Sequence, residues 1–220
     1  FTRITFLIFT AGSITQLIND SRCQRSEDSL LVTSRLIFKL AYMKLPIANF
    51  FQEAQQVAIE FFAAVRDLTI FSFNECLMHE SSNFLIKFWS HIVASRFKPS
   101  LVTEDFMQLF PQIFDAYIEA LGNHDDTSII NSFDEIEMPM YIDSSKYLWQ
   151  IASISPQSCA TTVSDALSSS TETLLSRPLD LASMPILCKI IYLILIISAQ
   201  FQNRISPSIY HDDEIVNKNI

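Results

Sequence analysis

Glycine is almost missing: a chain of 220 residues holds two, Gly12 and Gly122. Phosphate-cradling loops, dinucleotide fingerprints and nucleophile elbows all place glycine where the backbone turns sharply or approaches a ligand closely. None of these can be built here. Hairpin turns need residues at positive φ, so the same scarcity disfavours a hairpin-rich β fold. The four cysteines, Cys23, Cys76, Cys159 and Cys188, are widely spaced and form no CxxC pair. They are expected to be reduced and largely buried, as in a cytosolic or nuclear protein, not to form a zinc site or a disulfide framework. Basic residues are missing from one block: residues 99–145 contain ten Asp/Glu and no Lys or Arg. Residues 1–98 hold ten basic against eight acidic residues, and residues 146–220 five against six. The middle block therefore carries the excess behind the net charge of −9. Such a block repels phosphates, which argues against nucleic-acid binding and for a basic protein partner.

What is present is helical. Hydrophobic residues make up 49% of the chain, enough for a sizeable core. Phe106, Leu109, Phe110, Ile113, Phe114, Tyr117, Ile118 and Leu121 recur at three- and four-residue steps, with Asp105, Gln108, Gln112, Asp115 and Glu119 opposite. That spacing predicts an amphipathic helix capped by Thr103, with Glu104 and Asp105 at the positive end of its dipole and Gly122 at C′. Pro111 predicts a kink or a restart inside it. Before it, Phe84, Leu85, Phe88, Trp89, Ile92 and Val93 predict a partner helix with Lys87, Ser90 and His91 on its other face.

Further helices are expected over Thr2–Leu17 and from Ser26 as cap to about Leu45, closed by Pro46. Another follows Asn49, with Phe50, Phe51, Ala54, Val57, Ala58, Phe61, Phe62, Val65 and Leu68 on one stripe and Gln52 at the capping-box position. Phe71–Ser82 reads as a connector and Asn123–Ser145 as a long acidic loop. Lys146–Ser153 reads as a helical segment. Ser155 and Pro156 read as N-cap and N1 of a helix reaching about Ser176, and Ser183 and Pro185 open a last one from Ile186 to about Gln202. Ile190–Ala199 is apolar all round, yet the uncharged run is short against about 30 Å of hydrocarbon. A membrane protein anchored by residues 186–199 is thus the lesser alternative to an inner helix.

A single aromatic-rich pair cannot bury both of its sides, and stacking further pairs solves this. The fold class expected is all-α, a HEAT-repeat-like α-α superhelix of antiparallel helix pairs. It should span residues 1–203, with 204–220 a polar tail. Phe1, not Met, opens the sequence, which reads as a section of something longer.

No constellation points to catalysis. The triplets His124–Asp126 and His211–Asp213 lack a spaced third ligand, and His79 and His91 are too far apart for one helical metal site. Ser, His and Asp occur without an elbow or an oxyanion loop, so no hydrolase is indicated. Trp89 and Trp149 read as packing anchors. No enzyme, cofactor or metal is expected. The residues singled out for partner binding are Asp125, Asp126, Asp134, Glu135 and Glu137 in the acidic loop.

Several segments, in order, carry a resemblance. They are FWSHIVAS at Phe88–Ser95, the Glu104–Leu121 helix with Pro111 and AYI at Ala116–Ile118, and the acidic loop at Asp134 and Glu135. LWQIASI at Leu148–Ile154 and the stretch from Tyr192 to Ser206 complete the series. With them the chain resembles the exportin-seven group of Ran-binding proteins, in the importin-β superfamily of nuclear transport receptors. It departs from that group in lacking glycines near Ser198, Gln202 and Asn203. The resemblance implies an internal section of a HEAT-repeat receptor for nuclear export, or bidirectional transport, of protein cargo under control of Ran loaded with GTP. It also implies contact with nucleoporins, shuttling between nucleus and cytoplasm, and no catalysis. The alternative is a generic α-helical protein-interaction scaffold.

Overall fold

Apolar residues spaced by three and four make helices, and here every helix is made to be covered on more than one side. The computed structural model describes residues 3–20, 26–42, 46–75, 80–95, 99–123, 138–178 and 183–205. Eight α-helices lie among them: α1 (Arg3–Asn19), α2 (Glu27–Tyr42), α3 (Ile47–Glu75), α4 (Glu80–Ala94), α5 (Glu104–Asn123), α6 (Met138–Ala152), α7 (Pro156–Leu175) and α8 (Met184–Ile205). A single 3-10 turn, Pro99–Leu101, precedes α5.

Helices pack against the second helix along as well as the next one. α1, α3, α5 and α7 lie side by side in one layer, and α2, α4, α6 and α8 in the other. The layers join through α1 with α2, α3 with α4, α5 with α6 and α7 with α8. This is an all-α stack of antiparallel helix pairs, consistent with a HEAT-repeat-like solenoid.

Aromatic rings fill the space between the layers. Trp89 is fully buried, its ring 6.1 Å from Phe62 of α3 and 5.6 Å from Phe110 of α5. Its indole N–H donates to Thr69 Oγ1 at 3.0 Å, and the Thr69 hydroxyl donates in turn to the Val65 carbonyl. A buried donor is thus satisfied without opening the core. Polar side chains tie neighbours together elsewhere. Arg35 of α2 donates to Glu80 of α4, the Ser90 hydroxyl of α4 to Gln150 of α6, and Thr162 of α7 to Asp115 of α5. The Tyr117 and Tyr192 hydroxyls meet at 2.7 Å, joining α5 to α8 across the layers.

Several boundaries differ from the sequence expectation. α3 starts at Ile47, so Asn49 lies in its first turn and does not cap it. α3 also bends: Ala54 has φ −149° and ψ 56°. Phe51 stacks on Phe62 with centroids 5.9 Å apart. Eleven residues of straight helix would separate them by about 16 Å, so the chain folds back at Ala54 to bring the rings together. Phe71–Glu75 is helix, not connector, because Phe73 is buried against Tyr117 at 5.2 Å. α4 begins at Glu80, ahead of Phe84, and Ser90 is buried against α6, not set on a polar face. α5 runs through Pro111 without a restart and through Gly122 to Asn123, so Gly122 is not its C′ residue. Met138–Ser145, expected as loop, is the start of α6, with Pro139 in the first turn, where its missing N–H costs no bond. Ser155 and Pro156 do open α7, although the Ser155 side chain makes no capping bond. No described helix is long and apolar enough to cross a membrane.

Candidate interaction surface

The middle helices of one layer leave only one side free. α3 is flanked by α1 and α5 and backed by α4, while α5 is flanked by α3 and α7 and backed by α6. Their exposed residues therefore share the outer face of that layer. Between them runs a groove of about 370 Å³, lined by Ile59, Phe62, Ala63 and Arg66 of α3 and by Asp105, Phe106, Gln108, Leu109 and Gln112 of α5. Both sets follow helical spacing, so one stripe faces the other. Phe62 and Phe106 form the floor, edge to face at 4.7 Å.

The rim is polar, with Arg66, Asp105, Gln108 and Gln112 on it. Arg66 bridges the two helices, donating from Nη1 to Gln112 Oε1 at 3.0 Å. Its charge is already met by Asp67, 2.7 Å away on the same helix. Asp105 lines the other wall, and Glu60, beside Ile59, accepts from Gln56 at 2.7 Å. The Thr103 hydroxyl accepts the Phe106 amide at 3.3 Å, fixing the start of α5 and with it Asp105 and Phe106. Chemically, such a groove can take a few apolar side chains between polar walls, with the carboxylates of Glu60 and Asp67 on the same helix as Arg66.

Asp125, Asp126, Asp134, Glu135 and Glu137 lie outside the described residues, as do His79, His124, His211, Cys23 and Cys76. Among the described residues no three His, Cys, Asp or Glu side chains cluster so as to hold a metal. Cys159 is a free, buried thiol pushed up to about 12 by burial and then by the Asp115 charge, so it stays protonated near neutrality. Burial also raises Cys188. His91 is held below its ordinary value by burial and then by Lys87, and its ring lies 5.7 Å from Phe38 between α4 and α2.

Residue-by-residue reading missed the groove, since Arg66 and Gln112 are 46 positions apart. The available signal was a pair of stripes: small and apolar Ile59 and Ala63 on one helix, and Leu109 among glutamines on the other. No family model matches the chain, and neither a curated protein nor a solved structure matches it. The exportin-seven resemblance therefore has no support from homology. What stands is a scaffold of the protein-interaction type, helical throughout its described elements.

Proposed function

We propose that the outer face of α3 and α5 binds a basic, amphipathic helical segment of a partner protein, and that the chain acts by holding that face in shape and performs no catalysis. The observation that carries this is how charge divides between the layers. α1, α3, α5 and α7 bear ten carboxylates, Glu53, Glu60, Asp67 and Glu75, then Glu104, Asp105, Asp115 and Glu119, then Asp165 and Glu172, against two cations, Arg3 and Arg66. The other layer mixes signs, with Glu27, Asp28, Arg35 and Lys39 on α2 and Glu80 and Lys87 on α4, and Arg35 pairs with Glu80. An apolar groove inside an acidic field suits a helix with an apolar stripe and Lys or Arg beside it.

A fluorescein-labelled Leu/Lys peptide with leucines at i, i+3, i+4 and i+7 tests this by anisotropy, beside a scrambled version and a Leu/Glu counterpart. The striped basic peptide should bind at least about tenfold more tightly than either control. Ala63→Trp, which fills the groove, and Asp105→Lys should each weaken it, and added salt should weaken it further. Equal binding of the scrambled peptide, or indifference to both substitutions, overturns the reading.

A finer reading makes the chain a section of an exportin-like receptor in Ran-GTP-dependent transport of protein cargo between nucleus and cytoplasm. It is supported by the collinear segments quoted above and by the stacked helix pairs. Protein purified from its own cells should then retain Ran loaded with GTP, together with nucleoporins, and release Ran on conversion to GDP. Recovery indifferent to the nucleotide removes transport and leaves the scaffold.

A further inference from the structure

Along α2, α4 and α6 the two signs of charge are sorted by height. Glu27 and Asp28 stand in the first turn of α2 and Glu80 in the first turn of α4. Residues 29–42, 81–94 and 144–152 contain no Asp or Glu, with Asp143 just ahead of the last stretch. Their cations are Arg35, Lys39, Lys87 and Lys146. Glu80 meets Arg35, and among the described residues no carboxylate pairs with Lys39 or Lys87.

The three lysines face outward. The residues two before and two after each of them are buried, Ile37 and Ala41, Leu85 and Trp89, Ser144 and Leu148. Two steps along a helix point to its opposite side, so Lys39, Lys87 and Lys146 lie on the midline of the outer face. They are also level. The Phe38 ring of α2 lies 5.5 Å from Phe84 and 5.7 Å from His91 of α4, which sets Lys39 beside the turn that carries Lys87. Lys87 Nζ stands 5.6 Å from the ring of Tyr147, the residue after Lys146. The lysines thus form a row that crosses three helices, with the half-buried rings of Phe38, Phe84 and Tyr147 between them.

We infer that this row binds an extended acidic segment of a partner protein, with a carboxylate at every third residue and an apolar side chain between. Packed helices lie about 8 to 10 Å apart, and three residues of extended chain cover about 10 Å. Carboxylates three residues apart therefore reach successive lysines, while the residues between them rest on the rings. In a helix the same carboxylates would stand only about 5 to 6 Å apart and could not span two of the lysines. A polynucleotide fits less well, since three lysines face a charge on every nucleotide and the whole chain carries −9. The row lies on the opposite layer from the α3–α5 groove, and the inference does not depend on what the groove binds.

Fluorescence anisotropy of the full chain with a fluorescein-labelled Asp-Leu-Pro-Asp-Leu-Pro-Asp peptide is the test, the prolines keeping the peptide extended. It should bind at least about fivefold more tightly than the same residues reordered to bunch the aspartates, and more tightly than an oligothymidylate of similar charge. Lys39→Gln and Lys87→Gln, both on the outer face, should each weaken binding at least about threefold while leaving the helical circular dichroism unchanged. Lys189→Gln on α8 and Ala63→Trp in the groove should leave it as it was. No binding, equal binding of the bunched peptide, indifference to both Lys39→Gln and Lys87→Gln, or tighter binding of the oligothymidylate would overturn the inference.

Discussion

Replacing Trp89 with alanine removes the largest buried side chain at the junction of three helices. Trp89 sits on α4 with no exposed surface, meets Phe62 and Phe110 across the layers, and lies 5.2 Å from Phe88. The loss combines the transfer energy of the indole with the cavity it leaves, and should be about 3 to 5 kcal/mol. Against a domain stability of about 5 to 15 kcal/mol, that is a large share, equivalent to roughly 6 to 20 °C in Tm. Trp89→Phe separates the contributions. It keeps an aromatic ring but loses the N–H bond to Thr69 Oγ1, at a cost of about 1 to 2 kcal/mol. Thr69 still donates to Val65, so no buried hydroxyl hydrogen is orphaned. Urea unfolding followed by circular dichroism measures both, with Trp149 as an independent fluorescent reporter. An unchanged urea slope with a lower midpoint is expected. A loss below about 1 kcal/mol for Trp89→Ala would mean that the ring does not join α3, α4 and α5, and the packing argument would fail.

Three smaller changes probe other joints. Thr103→Ala removes the bond that starts α5 and should cost about 0.5 to 1 kcal/mol in the same assay, with no effect at all counting against the cap. Tyr117→Phe and Tyr192→Phe should each cost about 1 kcal/mol, and the double variant less than their sum, because the two hydroxyls bond each other; strict additivity would deny the α5–α8 link. His91 titrates below its ordinary value of 6.5, so folding favours its neutral form. Its share of stability is present above the unfolded pKa and is lost as pH falls from about 6.5 through the folded value. Unfolding midpoints measured between about pH 7 and pH 5 should therefore drop less steeply in His91→Gln, and parallel slopes would remove His91 from the account.

The sequence made α5 legible because its whole specification is local. Thr103, Glu104 and Asp105 write the start, and the three- and four-residue spacing from Phe106 to Leu121 writes the buried face. The bend at Ala54 was not legible, since no proline or glycine stands there and the apolar stripe continues across it. It follows from Phe50 and Phe51 closing on Phe61 and Phe62, a tertiary event. The start of α6 was hidden by Pro139 and by Ser144 and Ser145, residues that suit loops when read alone. Both serines are buried in the stack.

The candidate surface was half visible. The acidic block included Glu104, Asp105, Asp115 and Glu119, but Glu53, Glu60 and Asp67 lay unnoticed in a stretch with near-equal charges of both signs. Helix pairs sort charge by layer, not by chain segment. Lys39, Lys87 and Arg35, which neutralise the first part of the sequence, belong to the opposite layer from α3. The five loop carboxylates singled out by charge alone lie outside the described residues, so the face and the loop stand as separate propositions.

Carboxyl footprinting is the most direct test that α3 and α5 form the binding face. The full chain would be treated with carbodiimide and glycinamide, alone and with the striped Leu/Lys peptide, and modification read residue by residue by mass spectrometry. The account predicts protection of Asp105 on the groove, with Glu27 and Asp28 on α2 unchanged. Protection confined to α2, or spread evenly over exposed carboxylates of both layers, would contradict it.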